Sequence, residues 1–162
     1  MEEGSGMLRV WFVSLAHSQL GQYMQTSKWG FAIVEAVHLL ALAILGGAVL
    51  IVDLRLMGVI LKRESMRQIN RDLSRLLLGS LIVMIVSGVA MVSEEALKCY
   101  YNPAFRWKMA LLATAVLFYF TFHRRAVLRP STDRRFTDGV VAMISISLWL
   151  GVGIAGRAIG LI

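Results

Sequence analysis

Four apolar runs, each about as long as a bilayer is thick, constrain this chain more than any other feature. A membrane-crossing helix takes roughly 17–25 mostly apolar residues, and four windows reach that length: about 29–60, 76–92, 103–122 and 139–157. The first of them, "IVEAVHLLALAILGGAVLIVDLRLMG" at 33–58, also carries Glu35, His38, Asp53 and Arg55. A charged group at the centre of a bilayer costs at least about 2.5–3.5 kcal/mol, so such groups almost always face protein or a watery cavity. Composition points the same way. Of 162 residues 57% are hydrophobic and 17% charged, whereas soluble domains carry roughly 45–50% and 25%. The pattern predicts an all-α protein: an integral membrane four-helix bundle over 29–162, preceded by an N-terminal segment, 1–28.

A net charge of +7 could suggest nucleic acid, but the placement of the charges excludes it. The basic residues fall between the apolar runs, with no aromatic-interleaved basic face on which bases could stack. Their placement instead gives direction, because lysine and arginine gather on the cytoplasmic side of short loops. Eleven of the seventeen lie at or beyond the inner ends of spans 1 to 4: Arg55, Lys62, Arg63, Arg67, Arg71, Arg75, Arg124, Arg125, Arg129, Arg134 and Arg135. Both termini are therefore expected to face away from the cytoplasm. The first residues, "MEEGSG", lack the basic start of a signal peptide. Leu8, Trp11, Phe12 and Leu15 then recur at helical spacing opposite Arg9, Ser14 and Ser18, which predicts an amphipathic helix on the membrane surface. A single cysteine, Cys99, leaves no disulfide and no CxxC motif.

Helical geometry sorts the buried polar residues by face and by depth. On span 1, Glu35, His38, Leu42, Gly46, Val49 and Asp53 recur every three or four residues and share one stripe, with Arg55 off it. Span 2 offers Ser80, Met84, Ser87, Met91 and Glu94, and span 3 offers Lys108, Leu112, Ala115, Tyr119 and His123. Span 4 carries Gly151, Gly153 and Gly156, small enough for close helix approach. At about 1.5 Å per residue, His38 lies roughly 13 Å inside Trp29 and Asp53 roughly 36 Å. Two layers follow. The outer one gathers Glu35, His38, Lys108 and Arg157, with Glu94 and Glu95 at its lip; the inner one gathers Asp53, Arg55, Tyr119, His123 and Arg124. The inner groups lie where side chains snorkel to water and headgroups, and ion pairs there would fix the ends of spans 1 and 3. In the outer layer Glu35 is expected to pair with Lys108 or Arg157.

Several strings carry a resemblance. "E-x-x-H", "G-G-x-x-L-I-V-D-L-R-L-M-G", "N-P-x-F-R-W-K", "F-H-R" and "L-W-x-G-V-G-I-A-G-R-A-I" resemble a family of bacterial four-helix inner-membrane proteins classed as a domain of unknown function. The likeness runs from about Trp11 to the end of the chain and implies membrane location and four helices, with no activity attached. A looser architectural similarity links the chain to membrane modules of the copper-resistance and b-type cytochrome kind.

Three classes of function fit these residues. The first is a redox-cofactor subunit, holding haem b or a quinone in the outer layer. His38 would be the metal ligand or hydrogen-bond donor, Glu35 a carboxylate for a quinone, and Met84 a second iron ligand at similar depth. Lys108 and Arg157 would meet haem propionates, and Leu42, Leu112, Ala115 and Trp149 would form the apolar walls. A single haem bridged by His38 and His123 is excluded, because their depths differ by roughly 11 Å from the helix rise. The second class is a non-catalytic structural or assembly subunit, with other membrane-complex subunits as partners besides the lipid bilayer. The third is a proton or metal-ion conduit along Glu35, His38, Tyr119 and Asp53, which Leu42 and Val49 interrupt. No G-x-S-x-G, H-E-x-x-H, P-loop or G-x-G-x-x-G string marks a soluble-type enzyme.

Overall fold

The helices that start at Gln19, Lys28, Met66 and Pro103 each begin where a short polar side chain closes the first turn. A computed structural model of the chain describes residues 2–61, 63, 65–128 and 136–159; Lys62, Arg129, Arg134 and Arg135 lie outside the described residues. Helix α1 spans Glu2–Ala16 and α2 spans Gln19–Thr26, capped by Ser18 through Gly21 N–H. Ser27 then accepts from Gly30 N–H and starts α3, Lys28–Leu56. Ser65 does the same through Gln68 N–H for α4, Met66–Glu94. A short α5, Ala96–Tyr101, leads to Asn102, which caps α6, Pro103–Phe118, through Ala104 N–H. Pro103 occupies the first turn, where a missing N–H costs nothing. The helix runs on through a π-turn, Tyr119–His123, into α7, Arg124–Leu128, and α8 follows at Phe136–Ala158.

Four of these stretches are long and apolar enough to cross a membrane: Lys28–Leu56, Arg67–Glu94, Pro103–Leu128 and Phe136–Ala158. The protein is a multi-pass membrane protein built as an all-α bundle. Two boundaries differ from those that hydropathy alone gives. Span 1 stops at Leu56 rather than near 60, and Gly58 beyond it turns with φ +74°. Span 2 starts near Met66 rather than 76, because Ile69, Leu73 and Leu77 continue its inward face through a charged stretch. The charges between them point outward, so hydropathy averaged over the window hides the helix.

Helix α3 packs along α4, α6 along α8, and α3 against α8, while α4 faces α6 across a groove open to lipid. The centre is filled by Ala41, Leu45, Val49, Met84, Ala115 and Trp149, with Leu42, Leu112 and Tyr119 packed against them. A second cluster, including Val52, Leu56, Ile69, Val127 and Ala142, closes the end that carries the arginines. That end is called here the basic end, and the opposite one the terminal end. Contact of this kind, not water exclusion alone, holds helices together in lipid, and outward Leu40, Val86, Leu117 and Ile154 are left to the acyl chains.

The N-terminal helices roof the terminal end. Helix α2 lies on α3 and α4, and α1 lies on α5. The link between α1 and α2 closes only on glycine, since a Cβ on Gly21 would come 2.5 Å from the Ala16 carbonyl oxygen. Phe12 points down from α1 onto Tyr100 and Phe105, at ring distances of 5.5 and 6.1 Å. Trp11, Trp29 and Trp107 remain exposed around the same end, as an interfacial aromatic belt would be.

Candidate functional site

At the basic end the polar groups are sealed. His123 Nε2 donates to Asp53 Oδ1 at 2.6 Å, joining span 3 to span 1, with the two side chains 1% and 0% exposed. The π-turn helps to build this contact. It adds a residue to one turn and lets the Tyr119 ring stack on His123 at 5.2 Å and 27°, a local distortion of the sort that gathers where side chains must be re-aimed. Arg55 and Asp138 are buried too, each held by an interaction of its own. Asp138 lies one turn before Ala142 on α8 and so shares the face that packs into the basic-end cluster. Snorkelling is thus overturned here for Asp53, Arg55 and His123. Arg55, although off the stripe, is buried as well. The expected tie between spans 1 and 3 is present as the Asp53–His123 pair.

The terminal end is arranged differently. His38 Nδ1 lies 2.9 Å from Ser87 Oγ, and that hydroxyl lies 2.6 Å from the Val83 carbonyl oxygen. One hydroxyl hydrogen serves one acceptor, so Ser87 donates to Val83 and accepts from His38. Nδ1 therefore carries the ring proton and Nε2 presents a lone pair. The ring reaches this position because residue 88 is glycine: a Cβ there would meet His38 Cε1 at 3.3 Å. Lys108 is partly buried, its Cε and Nζ both 3.5 Å from where a Cβ of Gly156 would stand. Gly156 thus makes room for a side chain rather than for a helix backbone. Lys108 forms no ion pair among the described residues, and its charge acts on His38.

The chain, over residues 12–162, matches the family described as "Family of unknown function (DUF6644)". It belongs to that family. No curated protein and no solved structure matches it. Membership accords with the expectation of a family of unknown function, and it leaves chemistry to be argued from the residues.

Those residues depart from expectation at several points. Glu35 and Arg157 are exposed, and among the described residues Glu35 pairs with neither Lys108 nor Arg157. The reason is position: Glu35 lies at the outer edge of its stripe, where α3 has begun to emerge from the bundle. Met84 lies on the inward face as expected, but its side chain is embedded in the central core. The α3–α4 contact at Gly88 leaves no slot for a porphyrin between His38 and Met84. Leu42, Leu112, Ala115 and Trp149 do lie together, packed within the same core. His38 and His123 are further apart than the sequence estimate gave, since His123 bonds to Asp53, roughly 22 Å along α3 from His38. No group of three or more metal-ligating side chains occurs among the described residues.

Sequence reasoning missed Asp138 and Gly88. An acidic residue in the first turn of a span, complementing the helix dipole, was a signal for the first; for the second there was none. Outside the spans, burial and then the charge of Glu95 push the Cys99 thiol up from its usual range.

Proposed function

We propose that this protein is a membrane subunit that binds a redox cofactor, haem b or a quinone, at the terminal end. One observation carries the reading. His38 has a fixed tautomer, with Nδ1–H given to Ser87 and the Nε2 lone pair left for a ligand. Metal-bound histidines are commonly held this way, with the second nitrogen donating to a protein acceptor. Lys108 adds a cation without an ion-pair partner among the described residues, suited to a propionate or a carbonyl oxygen. The ligand chemistry suits both cofactors, but the packed central core favours the slimmer quinone head over a porphyrin. By the positive-inside rule the terminal end is periplasmic and the membrane is the bacterial inner membrane, which reporters fused at either terminus test.

The experiment is an absorption spectrum of the purified protein, oxidised and dithionite-reduced, with a lipid extract assayed for quinone. The expected result is a Soret and α band, or retained quinone, lost in His38→Ala and kept in His123→Ala. A colourless, quinone-free preparation of the folded bundle would overturn the reading and leave a structural or assembly subunit in its place.

A further inference from the structure

Resting on the cofactor reading above, we propose that the ligand is a lipoquinone, with its ring between His38 and Lys108 and its isoprenoid chain in the groove between α4 and α6. The groove has a volume of about 440 Å³ and is lined by Ile85 of α4, by Met109, Leu112, Ala113 and Val116 of α6 and by Phe120 of the π-turn, among others. That volume lies within the roughly 300–1,000 Å³ of small-molecule sites. Neither His38 nor Lys108 lines the groove, but each can be placed one turn above a residue that does. Gly88, against which the His38 ring lies, is one turn above Ile85 on α4. Lys108 is one turn above Leu112 on α6, which runs the opposite way. From Met109 to Phe120 the groove follows the helix for roughly 17 Å, estimated from the rise. A polar head site thus stands at the top of an apolar track that opens sideways into lipid.

The two head groups are complementary to one chemistry. Both suit the reduced ring: the Lys108 ammonium donates to one hydroxyl oxygen, and His38 Nε2 accepts from the other hydroxyl. A phospholipid would use the cation and leave the oriented imidazole unaddressed. A porphyrin would have to displace residues of the packed core, which includes Met84, Ala115 and Trp149. A second apolar groove, about 330 Å³ between α3 and α4, includes Ser87 in its lining but has no cation on its rim.

The test uses the full chain in phosphatidylcholine nanodiscs with a ubiquinone analogue carrying a diazirine on its isoprenoid chain. Crosslinks are expected on Val116, Leu117 and Phe120, displaced by unlabelled ubiquinone and not by phosphatidylglycerol. Ala113→Trp, which fills the groove from a lipid-facing position, should lower quinone retention at least fivefold, and Val37→Trp in the other groove should leave it unchanged. If Ala113→Trp does not fold, the crosslink map on the unaltered chain decides. Crosslinks concentrated on Val37 and Val83, or spread evenly over the lipid-facing surface, overturn the placement. A His38-dependent Soret band without displaceable quinone overturns the lipoquinone and leaves the cofactor reading standing. Absence of both pigment and quinone overturns the two together.

Discussion

The two ends of the bundle each hold a histidine joined to a neighbouring span by one hydrogen bond, yet they are built to opposite purposes. At the basic end His123 is matched to a carboxylate, covered by a stacked tyrosine and surrounded by further buried charges. At the terminal end His38 is held by a serine that is itself committed elsewhere, and Lys108 beside it has no ion pair among the described residues. Between them lies an apolar layer including Leu45, Val49, Met84 and Trp149. That layer separates the ends and interrupts a polar path through the bundle at the same point where Leu42 and Val49 break the sequence stripe. The contrast teaches that depth of burial does not mark a binding site. A fully buried histidine joined to a carboxylate acts as a lock even though His123 Nδ1 and Asp53 Oδ2 have no hydrogen-bond partner among the described residues, and a partly covered imidazole that a ligand can still reach is the better candidate for a site.

The sharpest way to break this comparison is to remove one half of the lock. Asp53→Leu leaves His123 buried without its acceptor and should cost about 3–5 kcal/mol, read by denaturant unfolding in detergent. The double change Asp53→Leu with His123→Phe should recover more than half of that loss, because two apolar groups leave nothing unmatched. A single-variant loss below about 1 kcal/mol, the scale of an ordinary hydrogen bond, would show that the basic end is not a lock.

At the terminal end the effects should divide between stability and binding. Ser87→Ala removes one hydrogen bond and should cost about 1 kcal/mol in unfolding. It should weaken cofactor retention about tenfold, because the partner that fixes the imidazole is gone. Equal retention in Ser87→Ala and in the unaltered chain would detach the tautomer from the function. Exposed Glu35, by contrast, should tolerate Gln within about 0.5 kcal/mol.

The smallest effect tests the roof. Burial and then the Glu95 charge raise the Cys99 thiol, so its thiolate is scarcer at a given pH than that of a free cysteine. Maleimide labelling at pH 7–8 should be slow, and its rise with pH displaced to more alkaline values. The sign for stability follows: a neutral thiol favoured by the fold contributes below the unfolded-state value and loses that contribution as pH rises through the folded one. Labelling as fast as in the denatured protein would mean that α1, α2 and α5 do not cover this end.

Much of the candidate site was legible because helical periodicity reports faces. Met84, Ser87, Ala115, Asp53 and His123 all point inward, as their three- and four-residue spacing required. What spacing could not report was the partner. Glu35 and Lys108 have opposite charges at compatible depth, but pairing depends on where α3 leaves the bundle. The burial of Arg55 was likewise beyond spacing, which places it off the polar stripe.

The sequence by itself determined the membrane, the number of spans and the inward face of each. Those depend on transfer free energy and on the 3.6-residue repeat, both of which act locally along the chain. Only the tertiary structure decided that the basic-end histidine is fully buried and the terminal-end one only partly covered. It took a π-turn to swing His123 onto Asp53, a glycine at 88 to admit the His38 ring, and a groove where α4 and α6 stand apart. Each is a distance between residues far apart in the chain, set by how four helices pack at once.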